Sequence, residues 1–125
     1  MRWQLTVRSG PRVKKQSFRV LDEALTALEQ RARELADDAP GEAVDAKIRR
    51  FEPTERVLAR LEVAGPERFV PSVRAGVDVH GDGSVEAYRG RVHRQAIEPL
   101  RRETVYAALR RAVEEEAPKG SAQST

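Results

Sequence analysis

Residues 77–90 read VDVHGDGSVEAYRG. Apolar and polar residues alternate into Gly81-Asp82-Gly83 and alternate again on the way out, which spells a β-hairpin. With the turn at Gly81–Gly83, His80 falls opposite Ser84, Asp78 opposite Glu86 and Tyr88 opposite Gly76. Val77, Val79, Val85 and Ala87 share one face, which is the expected core side. Arg74, Asp78, His80, Ser84, Glu86 and Tyr88 share the other. The reading of the whole chain grows from this pair, with strands expected over 72–80 and 84–97 and a bulge near Arg89–Arg91.

Upstream, RVLARLEVA at 56–64 places Val57, Ala59, Leu61 and Val63 on one side. VDAKIRRF at 44–51 does the same with Val44, Ala46 and Ile48. A hairpin pairing Ile48 with Ala59 keeps both core faces in agreement. That register sets Lys47 opposite Arg60 and turns Leu58 away from the core. At the N-terminus, RWQLTVR at 2–8 alternates Trp3, Leu5 and Val7 against polar neighbours, and 13–20 returns as an edge strand guarded by Lys14 and Lys15.

Two stretches have helical spacing. Over 21–38, Leu21, Ala24, Leu25, Leu28, Ala32 and Leu35 form one stripe, with Asp22 and Glu23 in the first turn where the helix dipole favours acids. Over 101–116 the stripe is Val105, Ala108, Leu109, Ala112 and Val113. The order ββαββββα predicts an α+β domain over 1–116: one antiparallel sheet of about six strands with both helices on one face. Residues 117–125 read as a disordered polar tail.

The 125 residues suit one domain, and the absence of cysteine excludes disulfides and thiolate chemistry. Charge is mixed, with 23 basic and 20 acidic residues and a net +3. The basic residues are 19 Arg and 4 Lys, there is no Asn, and Ile occurs twice, a skew that a GC-rich genome produces on its own. No apolar leader or membrane-length run is present, so the expectation is a cytoplasmic protein away from membranes.

Chemistry-bearing patterns are few. Asp78-x-His80-x-Asp82-Gly83 resembles the opening of a calcium loop, but the closing carboxylate would fall on Arg89. Asp78, His80 and Glu86 share a face and are weak candidates for a cation, with one histidine and no cysteine among them. Ser84 near His80 and Asp78 lies on an exposed hairpin tip that supplies no pocket for a triad, and serine is an expected turn residue there. No phosphate-cradling glycine motif occurs. Neither a catalytic group nor a cofactor is expected. The basic residues Lys47, Arg49, Arg56, Arg60 and Arg74 are candidates for nucleic-acid contact, and further basic clusters lie at Arg12/Lys14/Lys15, Arg89/Arg91/Arg94 and Arg101/Arg102. Phe51, Leu58 and Tyr88 are candidates for a contact patch on the open face. The function expected from sequence is a binding module for a protein partner or a second copy of itself, with RNA or DNA binding as the alternative.

Overall fold

The structure is a computed structural model and describes residues 2–39, 57–67, 71–90 and 93–116. These form β1 (Trp3–Ser9), β2 (Arg12–Phe18), α1 (Leu21–Asp37), β3 (Val57–Gly65), β4 (Val73–His80), β5 (Val85–Arg89), β6 (Gln95–Ile97) and α2 (Val105–Glu116). The strands make one sheet in the order β2-β1-β3-β4-β5-β6, antiparallel at every junction. The α+β class and the order ββαββββα agree with the sequence reading. β2 and β3 both run antiparallel to β1 and are therefore parallel to each other, and α1 makes the crossover between them.

The hairpin at 77–90 has the expected register. Val79 pairs with Val85, Asp78 with Glu86 and Gly76 with Tyr88. The His80 amide donates to the Ser84 carbonyl at 2.9 Å, and the Gly83 amide to the His80 carbonyl at 2.9 Å. Across the sheet this register sets a row Val7, Leu61, Val77, Ala87, Ile97, one residue per strand. The row belongs to a single hydrophobic cluster that also holds Leu21, Leu25 and Leu28 of α1 and Ala108, Leu109 and Val113 of α2. Fully burying one such leucine contributes about 1.5–3 kcal/mol. The Arg110 guanidinium of α2 bonds the Asp22 carboxylate of α1.

Several expectations are corrected. The partner of β3 is not 44–51. Both of its edges are taken: Leu61 pairs with Val7 on one side and Val77 on the other. Alternation cannot separate the two solutions, because Val7 and Leu5 offer β3 the same apolar face that Ala46 and Val44 offer. Residues 44–51 lie outside the described residues. Lys47 therefore does not face Arg60, whose cross-strand neighbours are Arg8 and Asp78. Val57, expected inward, is 44% exposed, because the β3–β4 register shifts between Val57 and Ala59 and breaks the alternation at Leu58.

The run 84–97 is two strands rather than one. Gly90 (φ +110°) donates its amide to the Arg74 carbonyl at 2.9 Å, and a Cβ there would sit 2.2 Å from the His93 carbonyl oxygen. The second helix begins at Val105 rather than 101. Glu103 bonds back to the Leu100 amide at 2.8 Å, and Thr104 Oγ1 accepts from the Ala107 amide at 3.0 Å, so residues 100–104 build a turn and a cap. The tail 117–125 lies outside the described residues. No helix among the described residues is long and apolar enough to cross a membrane.

Candidate functional site

The sheet positions that do not join the hydrophobic cluster form a second, polar face. Its cross-strand rows follow from the pairing. One row runs Thr6, Glu62, Gly76, Tyr88, Ala96, and the next runs Arg8, Arg60, Asp78, Glu86.

The first row is knitted around an absent side chain. Strands lie about 4.8 Å apart, so Tyr88 on β5 and Glu62 on β3 are separated by about 10 Å, with Gly76 between them. The Tyr88 hydroxyl donates to Glu62 Oε1 at 2.7 Å. A Cβ on Gly76 would lie 2.0 Å from the Leu61 carbonyl oxygen, so no larger residue fits. Tyr88 is consequently 5% exposed. Burial and the Glu62 carboxylate push its phenol well above the ordinary range. The other oxygen of Glu62 accepts from Arg74 Nη1 at 2.9 Å.

The second row is held by Arg60, which grips Asp78 with two bonds, Nε to Oδ1 at 2.7 Å and Nη2 to Oδ2 at 3.2 Å. This pairing raises the Arg60 pKa further. Arg94, just before β6, lies over the Tyr88 ring at 4.4 Å and reaches within 3.8 Å of Asp78 Oδ2. Arg60 is 5.8 Å from the same ring. Both distances are within the range of cation–π attraction.

Between these rows lies a cavity of about 210 Å³ lined by Thr6, Arg8, Arg60, Glu62, Arg74 and Arg94. Four guanidinium groups meet one lining carboxylate there. Arg8 stands directly opposite Arg60, and among the described residues it makes no ion pair. Arg74 Nε is buried without a hydrogen-bond partner among the described residues. A second cavity of about 670 Å³ shares Arg74 with the first and is also lined by Arg2, Gln4, Ser17 and Glu67. Glu67 is turned to its own partners: its Oε1 accepts from the Ser72 amide and hydroxyl, both at 2.8 Å, which holds its pKa below the usual range.

Of the residues singled out from sequence, Arg60 and Arg74 come together on this face. Lys47, Arg49, Arg56 and Phe51 lie outside the described residues. Leu58 is half-buried. Tyr88 points outward as expected, but it is covered rather than offered as a contact. Arg74 does not neutralise Asp78 or Glu86, its partner being Glu62. Asp78, His80 and Glu86 lie on one face without converging, and no cation-holding group of three occurs among the described residues. His80 is 7% exposed, neither ring nitrogen has a hydrogen-bond partner among the described residues, and its Nε2 is 3.8 Å from Glu86.

Arg8 and Thr6 were not identified from sequence as site residues. Their phase along 2–8, opposite to Leu5 and Val7, already put them outward. What the phase does not give is the adjacency of β1 to β3. The chain matches no family model, no curated protein and no solved structure.

Proposed function

We propose that the protein is a non-enzymatic binding module that takes a phosphate-bearing anion in the arginine-walled depression of its polar sheet face. One observation carries this reading: Arg8 and Arg60 stand opposite each other across β1 and β3, and Arg74 and Arg94 line the same cavity. Like charges directly opposite in an antiparallel pair are destabilising. A bound dianion turns that repulsion into attraction. The planar fork of arginine matches phosphate oxygens in pairs. Arg60 and Arg74 are oriented in advance by Asp78 and Glu62, which lowers the ordering cost of binding. The Thr6 hydroxyl supplies a neutral donor beside them.

The alternative, a protein partner or a second copy docked on Phe51, Leu58 and Tyr88, has less support. Tyr88 is committed to Glu62 and the two arginines, and Leu58 is half-buried. The reading is that of a cytoplasmic protein acting by binding, without a cofactor.

The test is thermal denaturation with inorganic phosphate at constant ionic strength, since a ligand that binds only the folded state raises the melting temperature. Phosphate should stabilise the protein. Arg8→Ala, a change at an exposed position, should weaken phosphate binding about tenfold, the worth of one charge-assisted hydrogen bond. An equal shift in the variant, or with chloride in place of phosphate, would contradict the reading.

A further inference from the structure

We infer that the arginine-walled depression is one end of a longer groove that seats a single nucleic-acid strand by its sugar–phosphate backbone, running along β1 from Arg8 past Arg74 to Arg2. This rests on the phosphate reading and extends it. Arg74 lines both cavities. Gln4, Thr6 and Arg8 share the outward phase of β1, and Arg2 precedes the strand in the same phase. Six residue rises separate Arg2 from Arg8, about 20 Å in an extended strand.

Charge along this track is one-sided. Arg2, Arg8, Arg60, Arg74 and Arg94 line it against Glu62 and Glu67. Both carboxylates are already bonded within the protein, Glu62 to Arg74 and Tyr88 and Glu67 to Ser72. A compact anion fills the Arg8 end and leaves Arg2 unused, whereas a chain of phosphates spaced along one line engages both ends. Gln4 and Ser17 beside Arg2, with Thr6 at the other end, add neutral hydrogen-bonding groups of the kind that contact sugars and phosphates.

Tyr88, the aromatic of this face among the described residues, is covered by Arg94 and bonded to Glu62, so it gives no platform for a base. Single-strand binders that read or grip bases do so by stacking. Here the backbone is engaged and the base sequence is not. Among the described residues, three of the arginines, Arg2, Arg8 and Arg94, are free of a two-bond carboxylate grip or a direct carboxylate hydrogen bond. With about 0.7 counterions released per neutralised phosphate of a single strand, the logarithm of the affinity should fall against the logarithm of salt with a slope of about −2.

The experiment is fluorescence anisotropy with labelled oligothymidylate and oligoadenylate, each in a short form and in a form long enough to span the groove. Inorganic phosphate serves as competitor, and a labelled duplex and polyglutamate serve as controls. The long oligomers should bind more tightly than the short ones and equally for the two bases. Arg2→Ala should weaken the long oligomers several-fold and leave phosphate binding unchanged, while Arg8→Ala should weaken both. If Arg2→Ala leaves the long oligomers unaffected while phosphate still binds in an Arg8-dependent way, the site holds an isolated phosphate and the groove inference falls. Equal binding of polyglutamate or of the duplex also overturns it. If phosphate itself does not bind, the underlying reading falls with it.

Discussion

Tyr88 concentrates the physical chemistry of the polar face. Its hydroxyl crosses β4 to reach Glu62, and the crossing exists because position 76 has no side chain. The raised phenol pKa has a stability consequence of definite sign. The neutral phenol is favoured in the folded state, so its contribution is complete below the unfolded tyrosine value of about 10 and is lost as pH rises toward the folded value. Wild type should therefore lose stability on going above pH ~10 faster than Tyr88→Phe, in chemical denaturation followed across that range. Parallel curves for the two proteins would remove Tyr88 as the cause. At neutral pH the same substitution leaves one Glu62 oxygen without its donor and should cost about 1 kcal/mol. Gly76→Ala should be far more disruptive, because the new methyl meets the backbone of β3 rather than a side chain that can turn aside.

At the level of elements, α2 shows how a boundary is set by side chains that the apolar stripe does not include. Thr104 caps the first turn, and Glu103 ties Arg111 to the turn before the helix, through bonds of 3.0 Å from both Nε and Nη2. Thr104→Ala should lower stability by about 1 kcal/mol, read from denaturant unfolding. The Glu103 carboxyl is held below its ordinary value, first by the Arg111 hydrogen bond and then by the Leu100 amide. A depressed carboxyl contributes stability above its unfolded pKa and loses it as pH falls through the folded one. Glu103→Gln should therefore flatten the acid limb of the stability profile below pH ~4.

The stripe Val105, Ala108, Leu109, Ala112, Val113 was readable in the sequence and located the helix. Its start was not, because Arg101, Arg102 and Glu103 are good helix formers whose local bonds won instead. The hairpin β4–β5 was legible to the residue, since its two-residue period and glycine turn are local signals. The neighbour of β3 was not legible, because a strand at the far end of the chain satisfies the same period as the segment 44–51 next in sequence.

For the whole molecule, one face of the sheet feeds the hydrophobic cluster and the other is a lattice of ion pairs around Tyr88. The split between faces could be read from alternation alone, which is why Arg60 and Arg74 were found. Their carboxylate partners and their new neighbour Arg8 could not, since those depend on pairing between distant strands. Like charge across an open sheet, expected at Lys47 and Arg60, is present at Arg8 and Arg60 instead. That like-charged pair lies beside a cavity also lined by Arg74, which Glu62 holds, and by Arg94. The most direct measurement is nuclear magnetic resonance of the arginine side-chain Nε–Hε groups during titration with inorganic phosphate. Signals of Arg8, Arg60, Arg74 and Arg94 should move together and saturate with a common affinity. Shifts spread evenly over all arginines, or no movement at these four, would contradict the assignment of an anion site to this face.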